Sequence, residues 1–177
     1  DFKYFTELYK RFLLYYREYN LSQEYAHYNG LNELDSVFIL ILSGCILNDK
    51  DEAEKIKVIT YEFDRLFTLL QLQGAYDSNS FNELLYSISS EIRNKDFTTY
   101  REVFDKVLIE EVNSKRGTQT EESFTYSYFK DTGNGLNPRF KRYFFARIED
   151  FIAKNTNVNV RHNLSDLVTK TGSVNGF

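Results

Sequence analysis

The chain has 177 residues, of which 42% are hydrophobic, so it can build a core and is not a disordered chain. Its net charge of −4 does not suggest a domain that binds nucleic acid over its whole surface, and no apolar run approaches the ~20 residues of a membrane span. The single cysteine, Cys45, excludes a disulfide framework or a thiolate zinc site within the chain and fits a reduced, cytoplasmic setting.

Apolar residues recur at three- and four-residue steps along most of the sequence, which predicts helices. The first runs over residues 2–19 and gathers its apolar residues on one face: Phe5, Leu8, Phe12, Tyr15, Tyr16 and Tyr19. A polar stretch with an Asn29-Gly30 turn signal follows it. Further helices are predicted over residues 33–47, 51–73, 80–94, 98–114, 121–130, 138–154 and 164–169. Asn137 and Pro138 form a strong helix start, since asparagine caps well and proline fits the first turn.

This order of elements predicts an all-α fold: a single-domain helical array or bundle of about seven or eight helices that covers residues 1–177. The single proline, Pro138, agrees with long helices, because proline breaks helix interiors. The chain begins at Asp1 and contains no methionine, so we expect an internal fragment of a larger protein.

Few residues suit acid–base or metal chemistry. The two histidines, His27 and His162, lie far apart in polar stretches and are predicted to be surface residues outside any metal motif. Adjacent carboxylates point about 100° apart on a helix, so the acidic pairs are predicted to be solvated faces; they lie at positions 110–111, 121–122 and 149–150. The sequence therefore predicts no catalytic, cofactor or metal site in this chain, and Cys45 is predicted to be a buried apolar residue.

The helix over 138–154 is the one strongly basic segment. Between residues 138 and 161 six cations face two anions, a local charge of +4 that leaves −8 for the rest of the chain. Arg139 and Arg142 share a helix face and Lys141 lies beside them, an arrangement that suits phosphate contacts. The same pattern suits an amphipathic helix docked through Phe140, Phe144, Ile148 and Phe151, with its charges in solvent.

The order of several segments resembles the helical region of the GmrSD-type modification-dependent restriction endonucleases of bacteria. The segments are 63–72 (FDRLFTLLQL), 81–86 (FNELLY), 137–149 (NPRFKRYFFARIE) and 173–177 (SVNGF). The resemblance covers roughly residues 33–177, and the stretch from Tyr143 to Glu149 matches the family's Tyr-Phe-Leu-x-Arg-Ile-Glu-like pattern moderately. Arg147 and Glu149 then belong to a structural helix pattern.

In that family a ParB-like nucleotide-hydrolysing domain precedes the helical region and an HNH-type nuclease domain follows it. The resemblance therefore implies a scaffold of a restriction or phage-defence endonuclease, which orients flanking catalytic domains and contacts the DNA backbone through Arg139, Lys141 and Arg142. The histidine motif of the nuclease is absent, so no catalytic residue is carried over.

Two other functions remain open. A helical protein–protein interaction module without a nucleic-acid role would expose an aromatic patch, built from Tyr15, Tyr16 and Tyr19 or from Tyr126 and Tyr128. A small helical enzyme is the third alternative, which the scattered histidines disfavour. The substrate modification, the nucleotide used by a parent protein and the oligomeric state do not follow from the sequence.

Overall fold

The computed structural model describes residues 1–156 together with Leu164 and Val168, and the regular structure in that part of the chain is entirely helical. The helices are α1 Phe2–Arg17, α2 Glu24–Leu31, α3 Val37–Gly44, α4 Glu52–Leu72, α5 Phe81–Ile92, α6 Tyr100–Arg116, α7 Tyr126–Thr132 and α8 Pro138–Asn155. Short 3₁₀ turns, Leu21–Gln23 and Phe97–Thr99, lead into α2 and α6. The predicted all-α array is confirmed. Leu164 and Val168 are helical and buried, and the rest of the helix predicted over 164–169 lies outside the described residues.

The central element is α4, which packs against α2, α3 and α6. Its apolar residues recur at helical spacing and are buried as predicted, from Ile56 through Ile59 and Phe63 to Leu70. Cys45 is also buried in this core, and burial raises the pKa of its thiol to about 12. Within the described residues, no helix is long and apolar enough to cross a membrane.

The turn predicted at Asn29-Gly30 is wrong, because both residues lie inside α2. Gly30 permits a close crossing with α1: a Cβ atom at this position would lie 2.1 Å from the carbonyl oxygen of Tyr16. Asn29 is buried and donates its side-chain amide to the carbonyl of Thr60 in α4, 3.2 Å away. Tertiary packing thus overrides a local turn signal.

Two predicted helices differ in extent from those observed. The helix predicted over 33–47 is confined to α3, since Glu33 adopts a left-handed φ of 56° and breaks the path from α2. The helix predicted over 121–130 is displaced to α7 because Gln73 binds the backbone of the preceding segment. Its side chain donates to the carbonyl of Ser123 and accepts from the amide of Thr125, at 2.8 and 3.0 Å.

Candidate functional site

The last described helix, α8, begins as predicted. The Asn137 side chain accepts a hydrogen bond from the backbone amide of Arg139, 2.8 Å away, and Pro138 occupies the first helical position. Phe140, Tyr143 and Ala146 are buried against the core. The cap and these three residues fix the rotation of α8, and therefore which side chains it presents to α4 and which to solvent.

Two residues one turn apart on α8 meet a single buried carboxylate of α4. The Tyr143 hydroxyl donates to Oδ1 of Asp64, and Nη1 of Arg147 donates to Oδ2 of Asp64 at 3.0 Å. Nη1 also donates to the Tyr143 hydroxyl at 2.7 Å. We call these three residues the Asp64 cluster. It satisfies a carboxylate that would otherwise be costly to bury.

Helix α2 completes the surroundings of Arg147. The guanidinium carbon lies 4.2 Å from the ring centroid of Tyr28 and 5.0 Å from that of Tyr25, so the cation is within cation–π range of both rings. These two rings also meet edge to face, with centroids 5.4 Å apart. The arginine therefore joins α2, α4 and α8 at one point.

A second polar network borders this junction. Nζ of Lys154 lies 2.9 Å from Asp150 and 3.0 Å from Glu24, and it donates to the Tyr28 hydroxyl at 3.2 Å. The Tyr28 hydroxyl in turn donates to Glu24 at 2.9 Å. The cationic end of α8 is thereby tied to α2.

The electrostatics of the Asp64 cluster fix the protonation states of Tyr143 and Arg147. Burial, reinforced by the Asp64 charge, raises the pKa of Tyr143 well above its ordinary value. Burial alone would lower the pKa of Arg147, but the Asp64 charge and the hydrogen bond to the Tyr143 hydroxyl hold it above its usual range. A neutral phenol and a charged guanidinium suit binding and positioning rather than proton transfer near neutral pH.

A cavity of about 240 Å³ adjoins the cluster. Asp64, Tyr143, Arg147 and Thr68 supply its polar lining, and its apolar walls are Phe144, Ile148 and Phe151. Within the described residues, the half-buried Thr68 hydroxyl forms no hydrogen bond. The site thus combines an apolar mouth with a polar floor, the usual composition of a small-molecule pocket.

The outer face of α8 is apolar and exposed, which corrects the predicted orientation of this helix. Phe140 faces inward as predicted, whereas Ile148 is 39% exposed and Phe151 67% exposed. Phe145 and Ile152 are also exposed. The inner face is instead built by Tyr143, Ala146 and Arg147, because polar groups of α2 and α4 satisfy the tyrosine and the arginine.

The three cations predicted to contact DNA lie on the first two turns of α8. Arg139 forms an ion pair with Glu33 at 2.8 Å and donates to the carbonyl of Leu31. Lys141 donates to the carbonyl of Asn134 at 3.3 Å, and Arg142 is half-buried. Their contact with DNA stays a prediction.

The histidine prediction is corrected at one of its two positions. His27 is buried beside Tyr19, with ring centroids 6.0 Å apart, and burial lowers its pKa. His162 lies outside the described residues. In the part of the chain that the structure describes, no group of three histidine, cysteine or acidic side chains is placed to hold a metal ion.

The aromatic patches predicted from the sequence are only partly exposed. Tyr15 and Tyr16 are half-buried, and the Tyr16 hydroxyl donates to Asp35 at 2.7 Å. Tyr126 is exposed, whereas Tyr128 is half-buried under the Arg116 guanidinium. On the outer face of α8, Ile148 and Phe151, which were predicted to dock onto the core, are exposed together with Phe145 and Ile152.

The Asp64 cluster was not predicted. Its sequence signal is an aspartate inside the apolar pattern of α4, combined with a tyrosine and an arginine four residues apart on a helix. Nothing in the sequence pairs residues 79 and 83 positions apart, so only the packing of α8 on α4 reveals the cluster.

Comparisons with protein-family models, with curated proteins and with solved structures return no match.

Proposed function

We propose that this chain is a helical docking domain that binds an amphipathic helix of a separate protein along the outer face of α8. The observation that carries the proposal is the exposure of Ile148, Phe151 and Ile152 on one helix face, one turn beyond the exposed Phe145. Exposed apolar residues that share one helix face form a candidate interaction surface. We call these four residues the α8 face.

The spacing of the α8 face favours a helix as its partner. Residues 145, 148 and 152 follow a three–four repeat, which presents a narrow apolar seam along the helix axis. Such a seam packs against a second helix whose own apolar residues repeat at the same spacing.

The charges around the α8 face define the partner further. Lys141 precedes Phe145 by four residues and therefore lies at the N-terminal end of the same seam. An acidic residue of the partner helix placed opposite Lys141 would fix the direction and register of docking.

Internal pairing of the cations supports docking over DNA contact as the main role of α8. Arg139, Arg147 and Lys154 each form an ion pair with a carboxylate of another helix or connecting segment. A phosphate-binding helix needs its cations available to release counterions from the nucleic acid. The scaffold role implied by the resemblance to GmrSD-type endonucleases is physically similar, with a flanking domain in place of the separate protein.

The test compares affinity capture from the source cells by the wild-type chain and by an Ile148→Asp/Ile152→Asp variant. Tyr86→Asp is the matched control, since Tyr86 is an exposed apolar residue of another helix, α5. We expect one protein to be retained by the wild type and the control and lost by the double variant. Its contact segment, made as a peptide, should gain helicity on binding, and replacing its acidic residue should weaken binding.

Three results would contradict this proposal. Sedimentation of the purified chain as a dimer, lost in the double variant, would assign the α8 face to a second copy. Duplex DNA binding that falls steeply with salt and is reduced by Arg139→Ala/Arg142→Ala would favour the nucleic-acid role instead. Capture that is equal in the wild type and in the double variant would remove the α8 face from the interaction.

A further inference from the structure

We propose that the cavity beside the Asp64 cluster binds a small aromatic carboxylate, with its acid group on Arg147 and Thr68 and its ring between Phe144, Ile148 and Phe151. This inference goes beyond the docking function and does not rest on it, because it is argued from the polar floor and the size of the cavity. Ile148 and Phe151 belong both to the cavity wall and to the α8 face.

The volume of the cavity suits a ligand of about one ring with a short polar group. At about 240 Å³ it is larger than an apolar cavity of ~150 Å³, which holds benzene. It is smaller than the ~300–1,000 Å³ of pockets that take drug-sized molecules.

The edge of the Arg147 guanidinium formed by Nε and Nη2 can donate hydrogen bonds to a ligand. Within the described residues its hydrogen bonds to Asp64 and Tyr143 both come from Nη1, so Nε and Nη2 donate to no protein group there. Nε–H and an N–H of Nη2 point in parallel, which is the geometry that grips the two oxygens of a carboxylate. The cation–π contacts with Tyr25 and Tyr28 position the Arg147 guanidinium in the absence of a ligand.

Thr68 adds a second donor at the floor. Its hydroxyl lines the cavity, lies one turn after Asp64 on α4 and has no hydrogen-bond partner within the described residues. A half-buried hydroxyl of this kind gains a partner when an acid group enters.

The charges around the cavity are compatible with the binding of an anion there. Asp64 is neutralised by Arg147 and accepts the Tyr143 hydroxyl, so it repels a second carboxylate far less than an unpaired aspartate would. Helix α8 carries five cations and two anions between Pro138 and Asn155, a net charge of +3. The apolar walls meanwhile favour a ring over a small inorganic anion.

The experiment is a titration of the full chain with benzoate, followed by amide and side-chain chemical shifts in NMR spectra. Benzyl alcohol keeps the ring without the charge, and acetate keeps the charge without the ring. We expect benzoate to shift signals of Thr68, Arg147 and Phe151 and to bind about tenfold more tightly than either control probe, since charge-assisted hydrogen bonds and ring burial both contribute.

Substitutions in the floor and the walls of the cavity test whether benzoate binds there. Thr68→Val removes only the hydroxyl and should weaken benzoate binding about fivefold, as the loss of one hydrogen bond of ordinary net strength does at a half-exposed site. Phe151→Ala removes an exposed wall and should weaken benzoate and benzyl alcohol alike, while Tyr86→Ala should change neither. Arg147→Lys keeps a cation near Asp64 without the two-pronged edge and should abolish the preference for benzoate over benzyl alcohol.

Equal affinity for benzoate and benzyl alcohol, or unchanged benzoate binding in Thr68→Val, would overturn the proposal. Shifts confined to Lys141 and other surface cations would do the same, since they would show anion attraction without a pocket. Thr68→Val preserves shape and volume, so its outcome does not depend on whether Arg147→Lys folds. A failed titration would leave the capture experiment with Ile148→Asp/Ile152→Asp unaffected, so the two proposals fail separately.

Discussion

Arg147 of α8 and Asp64 of α4 form an ion pair at 3.0 Å across 83 positions of the chain, with side-chain exposures of 22% and 8%. The pair lies between the outer face of α8 and the core, and Tyr143 shares both partners. Because the two charges are mostly removed from water, each depends on the other for its solvation. This contact is one of those that hold α8, and with it the α8 face and the cavity, in position.

Removing one partner should therefore cost more than removing both. We expect Asp64→Ala to lower the free energy of unfolding by roughly 3–5 kcal/mol, because Arg147 remains buried without a counter-charge. An Asp64→Leu/Tyr143→Phe/Arg147→Met variant should recover most of that loss, since apolar side chains of similar size need no partner and no buried hydroxyl is left unpaired. Urea unfolding of the three proteins measures the difference.

The exposed ion pair between Glu7 and Lys10 provides the control. Their side-chain atoms lie 3.5 Å apart on the surface of α1, so Glu7→Ala should leave the urea midpoint unchanged within error. An Asp64→Ala protein as stable as Glu7→Ala would show that the Asp64 cluster does not hold α8 in place.

The contact between Gly30 and Tyr16 predicts a second stability effect. A Gly30→Ala side chain would place its Cβ 2.1 Å from the Tyr16 carbonyl oxygen, so α1 and α2 would have to move apart. We expect a loss of roughly 1–3 kcal/mol in unfolding free energy, the usual cost of overpacking. Gly133→Ala is the matched control, because that Cβ would lie 3.4 Å from its nearest neighbour and the residue has a helical φ of −52°. Equal unfolding temperatures for the two variants would contradict the close crossing.

The sequence predicts the elements that depend on local pattern and misses those that depend on distant contacts. The start of α8 and the buried face of α4 follow from capping chemistry and apolar spacing, and both are found. Helix α2 was missed because Gly30 is needed for a close crossing that no local rule shows. The orientation of α8 was wrong because Arg147 counts as a surface residue until Asp64 is known to lie opposite it.

The burial of His27 predicts a pH dependence of stability. Its pKa in the folded state is lowered from the ordinary 6.5, chiefly by burial, so the unfolded chain binds a proton more readily than the folded one. Stability from this residue is complete above about pH 6.5 and declines as the pH falls toward the lowered pKa. His27→Gln should flatten the dependence of unfolding free energy on pH in that window. The same slope in wild type and His27→Gln would exclude His27 as its source.

The orientation of α8 predicts different stability effects for substitutions on its buried face and on its exposed face. Phe140 is buried and meets Phe67 edge to face, with ring centroids 5.7 Å apart, so Phe140→Ala should cost roughly 3–5 kcal/mol in unfolding free energy. Ile148→Asp and Ile152→Asp place charges on the exposed face and should each change stability by less than about 0.5 kcal/mol.

The sequence-based orientation of α8 predicts the opposite for Ile148, since a charge at an inward position would unfold the helix from the core. Urea unfolding of Phe140→Ala, Ile148→Asp and Ile152→Asp, with circular dichroism to confirm retained helix content, distinguishes the two orientations. A loss at Ile148→Asp comparable to that at Phe140→Ala would place the outer face of α8 against the core. Such a result would remove the surface on which the docking proposal depends. Native stability of Ile148→Asp and Ile152→Asp would instead show that any loss of capture in the double variant is not caused by unfolding.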